Sequence, residues 1–546
     1  MRRSRIQTGT PVASPGRNCW RVARARRVAV LVDGKSYFDA LVESLSCARR
    51  SIFIVGWDLH SRLRLQPDRP DSGAGELGAF LESLARKHRD LRIRILDWDF
   101  SFLMTPDREF APWLRMDWQS HRRIQMQLDG RHPVGACHHQ KLVVVDDAVA
   151  FVGGLDLTEG RWDTPEHRVD DPRRADASGR AHPPFHDGQM AVDGDAARHL
   201  GHLARERWRR ATGALLRERP VRPGRDPWPA SVVPDFEQVS VALARTEPAY
   251  GARRGVREIE NLYADAIASA RDWIYIENQY LSARSIGDAL CTSLAAPAGP
   301  EIVVISPREC SGWLEEGTMG LLRHRLVRRM READHAGRFR LLHPRIPGDS
   351  VRLNVHAKVM IVDDASLRVG SANLSNRSMG FDTECDLHID AAGAPAVARG
   401  IAAVRARLLA EHLGTTSARV DEAFADTQSL IATIDALSGG ERSLEPLDVD
   451  IPEWIDAVVP EKLLTDPESP VEALEFVEAW TPELLRDPQR RKVVPALAGG
   501  ALLVWALRRA DALPRLVALG LGTVLGIVAV RRWLSKSGDR AGDAGV

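Results

Sequence analysis

One motif occurs twice, and a chain that repeats it is built from two like halves. His139-Gln140-Lys141 is followed after four residues by Asp146, and His356-Ala357-Lys358 after four residues by Asp363. Each copy runs on to a small-residue turn, Gly153-Gly154 in the first and Gly370-Ser371 in the second. Of the 75 lysines and arginines only about seven are lysine, so lysine at both matched positions is a strong signal. The repeat is wider than the motif. SIFIVGWDLH from Ser51 parallels WIYIENQYLS from Trp273, and RIRILDWDFS from Arg92 parallels EIVVISPREC from Glu301. Apolar runs separated by helical stretches predict an α/β fold of two pseudo-symmetric lobes, each a mixed sheet flanked by helices.

Both motifs lie on apolar runs, LVVVD and VMIVD, that read as buried strands. Side chains alternate along a strand, so His139 and Lys141 share one face and Asp146 takes the other. The same parity holds for His356, Lys358 and Asp363. Seven strand residues span roughly 23 Å, so each motif aspartate is expected to serve the strand end rather than a ligand. One histidine and one lysine from each lobe would meet at a shared cleft. Two imidazoles and two ammonium groups suit a phosphodiester: one imidazole attacks phosphorus and the other protonates the leaving alcohol. The lysines supply the positive charge, so neither a metal nor another cofactor is expected. Zinc-spaced Cys/His clusters, EF-hand loops and P-loops are missing from the sequence.

These motifs resemble the phospholipase D superfamily, over roughly Arg17 to Leu413. GRNCWRVA, GGLDLTEGRWD, IYIENQYL and GSANLSNRSMG resemble its phospholipase branch, bacterial or eukaryote-like. The resemblance implies a phosphohistidine intermediate, with His139 the nucleophile, His356 the general acid, and Lys141 and Lys358 beside them. It implies phosphate contacts from Asn373, Ser371 and Gly154, and orientation of the histidines by Asp187 and Glu384. Asp156 stands where the family usually has Asn, and a carboxylate there would repel a phosphodiester. His138 faces away by parity and reads as structural. The implied function is phospholipase D, hydrolysing or transferring the phosphatidyl group of a glycerophospholipid. Another phosphodiesterase of the superfamily, nuclease-like or cardiolipin-synthase-like, is the alternative.

Around these lobes the chain reads as a flexible basic tail over 1–16, a first lobe over 17–235 and a second over 236–415. An acidic helical region covers 416–490 and a hydrophobic hairpin 491–535. Residues 162–184 are polar and read as a long surface loop near the cleft entrance. GWLEEGTMGLLRHRLVRRM from Gly312 carries helical spacing, with Trp313, Leu314, Met319 and Leu322 near one face. The uncharged runs Val493 to Leu507 and Leu516 to Val530 are each about 22 Å as helix, short of a 30 Å hydrocarbon core, but arginines at their edges can snorkel. A membrane-inserted hairpin and a buried soluble hairpin both fit. No signal peptide pattern is seen, so a membrane-associated protein with a cytoplasmic catalytic domain and reduced cysteines is expected. The expected partners are a phospholipid substrate and the membrane. The net charge of +1 argues against nucleic acid.

Overall fold

The computed structural model describes residues 10–99, 121–218, 226–309, 313–348, 352–449 and 466–467. All but the last two belong to the unit Met1–Pro452, which is the subject below. Its first half supplies β1 (Arg21–Val32), β2 (Ser51–Val55), β3 (Arg92–Trp98), β4 (Ile124–Asp129), β5 (Leu142–Val145), β6 (Val149–Gly153), β7 (Phe185–His186) and β8 (Gly188–Asp193). Its second half supplies β9 (Phe236–Glu247), β10 (Val256–Arg257), β11 (Trp273–Asn278), β12 (Glu301–Ile305), β13 (Phe339–Arg345), β14 (Asn354–Val355), β15 (Lys358–Val362), β16 (Ser366–Gly370), β17 (Glu384–Asp390) and β18 (Ser443–Pro446). All these strands except β7 and β14 share one sheet.

The repeat is visible in the strand order. β1 and β9 lie antiparallel at the centre, with Ala25 opposite Val239. Outward from β1 run β8, β6, β5, β2, β3 and β4; outward from β9 run β17, β16, β15, β11, β12 and β13. Strand by strand the two series correspond. Both begin with antiparallel pairs and end in parallel ones, β2–β3–β4 and β11–β12–β13. Central strands such as SIFIV and LVVV are buried on both faces, which requires cover on both.

Helices provide it. On one face α1 (Asp33–Cys47) and α2 (Leu77–Lys87) cover the first lobe. On the same face α4 (Glu258–Ser269), α5 (Arg284–Ala295) and α6 (Trp313–Ala333) cover the second. On the other face α3 (Gly194–Thr212) and α8 (Pro395–Leu413) sit on a core that runs across both lobes. The short α7 (Asn376–Gly380) follows the second motif turn. Met319 and Leu322 of α6 are buried, as a core-packing helix requires.

Three sequence expectations change. Residues 10–16 are not all free tail: Val12 and Ala13 pack against the second-lobe core, and the Ala13 N–H donates to Asp390. The loop over 162–184 is a surface element only in part: Pro165, Glu166, Arg168 and residues 178–181 are exposed, whereas Trp162, Asp163, His167 and Arg174 are fully or almost fully buried. The acidic region opens with α9 (Ser417–Thr427) and α10 (Leu430–Leu437), but then returns as β18 on the edge of β13. Leu444 and Leu447 are buried there, so the folded unit runs past residue 415. The segment 226–235 is packed too, through buried Trp228. The five cysteines among the described residues are free. Among the described residues no helix is long and apolar enough to cross a membrane, and the hairpin over 491–535 lies outside them.

Candidate active site

The motif aspartates close the strand ends. Asp146, just after β5, accepts the backbone N–H groups of Arg49, Arg50 and Ser51 at 2.7 Å each. Asp363, just after β15, accepts those of Arg271, Asp272 and Trp273 at 2.8–3.0 Å. Both have left-handed φ of 53°, in tight turns where the next residue, Asp147 or Asp364, is left-handed too. Each carboxylate thus ties its motif hairpin to the start of the neighbouring strand, and neither reaches the cleft.

The histidines are set by pairing across the lobes. β7 pairs in parallel with β14, and His138 forms a parallel bridge with Thr383. The His356 N–H donates to the His186 carbonyl at 2.8 Å, and the His139 N–H donates to the Thr383 carbonyl at 2.9 Å. Each histidine is therefore pinned to the residue just before the other lobe's acid. His356 Nδ1 lies 2.7 Å from Asp187, and His139 Nδ1 lies 3.0 Å from both oxygens of Glu384. Both contacts cross the lobe boundary, and both leave the Nε2 edges for chemistry. Both lysines lower the proton affinity of both imidazoles, so the four motif side chains face one space.

Burial disfavours every charge there. It drives both histidines well below their ordinary range, aided by the lysines. It pushes the Asp187 carboxyl up to about 7 and the Glu384 carboxyl up to about 8, against the opposing Lys358 and the Ser371 hydroxyl respectively. It lowers the Lys358 ammonium to about 7. Each histidine and its acid consequently act as a pair that gains or loses one shared proton.

The remaining residues divide unequally. Lys141 Nζ forms an ion pair with Asp156 at 3.0 Å, so that carboxylate is neutralised by the lysine beside it. Lys358 forms no ion pair among the described residues. Asn373, the counterpart of Asp156, has a buried Oδ1 without a hydrogen-bond partner. Ser371 departs from its expected phosphate role: its hydroxyl donates to Glu384 Oε2 at 2.5 Å and accepts the Cys385 N–H at 3.0 Å. Gly154 departs likewise. A Cβ there would stand 2.1 Å from Asp187 Oδ1, so the glycine makes room for the acid. His138 is buried between Thr383 and Asp129, away from the cleft.

Three residues were not singled out from the sequence. Ser378 donates to Glu384 Oε1 at 2.7 Å. Trp57 and His139 meet edge-to-face with ring centroids 6.0 Å apart, and Lys141 Nζ lies 5.7 Å from the centre of the Trp57 ring. Arg161 lies over Phe185, whose ring is 5.3 Å from His356, and it lowers the proton affinity of His356 and Lys358. The GRWD run that contains Arg161 was its one signal.

Comparison with known proteins gives the family of the chain. The family described as Phospholipase D matches residues 44–289, and that described as Cardiolipin synthase, PLD-like domain, matches residues 263–403. Phospholipase D alpha 2 of Oryza sativa subsp. japonica is 26% identical over 524 residues, covering 69% of this chain and 63% of that protein. Phospholipase D alpha 1 of Ricinus communis is 25% identical over 541 residues, covering 72% and 65%. The chain thus spans just under two thirds of the length of these relatives. The phosphatidylserine synthase of Haemophilus influenzae Rd KW20 aligns with a TM-score of 0.47 at 13% identity, over 67% of this chain and 82% of that one. With both family descriptions falling in turn on the two halves that carry the two motifs, the chain belongs to the phospholipase D superfamily.

Proposed function

We propose that this protein is a phospholipase D that cleaves the distal phosphodiester of a glycerophospholipid and passes the phosphatidyl group to water or another alcohol. The observation that carries the reading is the crossed pair His139–Glu384 and His356–Asp187, flanked by Lys141 and Lys358. His139 Nε2 attacks phosphorus, forming a P–N bond. The P–O bond to the head group breaks, and the proton of the His356 pair goes to the departing oxygen. Water then attacks the phosphohistidine, His356 takes its proton, the P–N bond breaks, and phosphatidic acid leaves. In this reading Lys358, which forms no ion pair among the described residues, receives a phosphoryl oxygen.

The order of the histidines follows the family resemblance and is open to trapping. Release of choline, ethanolamine or glycerol from defined lipids is measured with purified protein, beside a nuclease assay. His139→Asn and His356→Asn are each expected to lower turnover by about 10²–10⁴-fold or more without lowering the melting temperature. With an activated leaving group, the His356→Asn variant should accumulate the phosphatidyl group on His139. Full activity in either variant would sink the two-lobe mechanism, and nucleic acid cleavage without lipid turnover would favour the nuclease-like alternative.

Membrane association belongs to the same proposal. The apolar runs within 491–535 support a helical hairpin that anchors the protein, with the catalytic lobes on the cytoplasmic side. Arginines flank both runs and Gly522 and Gly526 allow close helix packing.

A further inference from the structure

We propose that Asp33, His167, His186 and Glu411 form a binding site for one divalent cation of the zinc class, separate from the catalytic cleft. Asp33 opens α1, His167 is a buried residue of the loop over 162–184, His186 is in β7, and Glu411 is in the last turn of α8. Three come from the first lobe and one from the second. Each offers one ligand atom, and these atoms all lie within 4.8 Å of one another. A tetrahedral ion with bonds of about 2.0–2.1 Å needs ligand atoms about 3.3 Å apart. His186 Nδ1 stands 2.6 Å from Glu411 Oε1 and 3.2 Å from Asp33 Oδ1. His167 Nε2 stands 3.1 Å from Glu411 Oε1 and 3.8 Å from Asp33 Oδ2. These separations, which reach one or the other oxygen of Asp33, bracket the requirement, and a single ligand atom from each of the four residues lies within 4.8 Å of the rest.

The surroundings favour a metal over a plain ionic cluster. The His167 Nδ1–H donates to Asp163 Oδ2 at 2.9 Å, a carboxylate held in turn by the Arg174 guanidinium and the Phe185 N–H. The His186 Nε2–H donates to Glu277 Oε2 at 2.9 Å. Each imidazole thus rests its far nitrogen on a carboxylate and turns its near nitrogen into the cluster, the arrangement that fixes a metal-ligating histidine. Asp33 Oδ2 is the second sign: it is fully buried and has no hydrogen-bond partner. A carboxylate oxygen left so is costly, and a cation satisfies it. The adjoining group of His186, Glu277 and His412 lacks this opening. There both Glu277 oxygens are occupied, by the Tyr275 hydroxyl and His412 on one and by His186 on the other.

Two nitrogens and two carboxylates suit zinc or a neighbouring transition metal better than calcium or magnesium, which take oxygen sets. Binding displaces the proton from each ligating nitrogen to solvent, and a site this deep loads as the chain folds. The ion would tie both lobes together beside the cleft. The carbonyl of His186 holds the His356 N–H, and the next residue, Asp187, orients its ring. Its role is to hold that pair in place, while Lys141 and Lys358 meet the phosphate.

The test is the metal content of the full-length protein, expressed with added zinc and desalted in metal-free buffer, read by inductively coupled plasma mass spectrometry. About one zinc per chain is expected, and about one cobalt with four-coordinate visible absorption when cobalt replaces zinc in the medium. His167→Gln and Glu411→Gln should each lose the ion, and His356→Asn should keep it. Folded wild-type protein with far less than one metal per chain overturns the proposal, as does unchanged content in the His167→Gln and Glu411→Gln proteins. Should those two fail to fold, wild-type protein is unfolded in chelator and refolded with and without Zn²⁺. Recovery that needs the ion supports the site, and equal recovery overturns it. No readout here depends on lipid turnover, so this inference and the phospholipase reading fail separately.

Discussion

Gly154 and Ser371 occupy matched positions after the two motif hairpins, and each serves its neighbouring acid differently. Ser371 donates a hydrogen bond to Glu384; Gly154 simply leaves Asp187 its space. Gly154→Ala should therefore push Asp187 off His356. A misplacement of that size costs on the order of 10²-fold in kcat with a smaller change in KM, measured on a soluble short-chain lipid. An unchanged kcat would mean that Asp187 does not position the ring. The pH profile is a second prediction. Nucleophilic attack needs one histidine–acid pair that has lost its shared proton, and leaving-group protonation needs one that has kept it. Because Asp187 is raised to about 7 and Glu384 to about 8, the pairs hold their protons further up the pH scale than free carboxyls do. Lys358 loses its charge from about 7 upward, which deepens the alkaline limb. The profile of kcat/KM should be a bell with its apex between about 7 and about 8, and Glu384→Gln should remove one limb. A flat profile from pH 5 to 9 would count against shared-proton pairs. At this scale the histidines and lysines are legible from spacing alone, because chemistry fixes residue type. The crossing of the acids is not. Which carboxyl meets which ring depends on the β7–β14 pairing, and two-residue strands leave no periodic trace.

At the scale of elements, a motif aspartate acts on three backbone donors at once. Asp146→Ala or Asp363→Ala strands three N–H groups at the start of β2 or β11, and each substitution should cost about 2–4 kcal/mol in urea unfolding. The asparagine variants should cost less, since one acceptor oxygen remains. Equal stability of alanine and wild type would overturn the capping role. The placement of these residues at strand ends follows from parity and reach, so their duty is legible in advance. The loop over 162–184 is not. Its Pro, Gly and Asp clusters read as solvated chain, and residues 178–181 are exposed, yet ion pairs such as Asp163–Arg174 and Asp163–His167 bury its inner residues. A polar interior carries no hydrophobic period, so pattern reading has nothing to detect. β18 escapes for a related reason. SLEP is short and half-polar, and only its place beside β13 makes it a strand.

For the whole molecule, the decisive point is where the folded unit ends. The motif repeat ends by Leu413, but the sheet does not. β18 pairs with β13, Leu447 and Val449 enter the second-lobe core, and Val449 accepts a hydrogen bond from His324. Removing everything after Leu413 should expose that core and give aggregated or inactive protein. Removing everything from Val493 onward cuts well beyond these contacts and takes away only the charged edge and the two apolar runs. That shorter truncation should keep hydrolysis of a soluble short-chain lipid while leaving the membrane fraction. Each run is about fifteen apolar residues, and burying them in lipid is favourable. Fractionation with a carbonate wash, with an activity assay on every fraction, compares full-length protein and both truncations. Retention of the Val493 truncation on membranes would place the anchor elsewhere. Aggregation of that truncation, or loss of its activity on the soluble lipid, would mean that the hairpin belongs to the folded core and that the anchor reading is wrong.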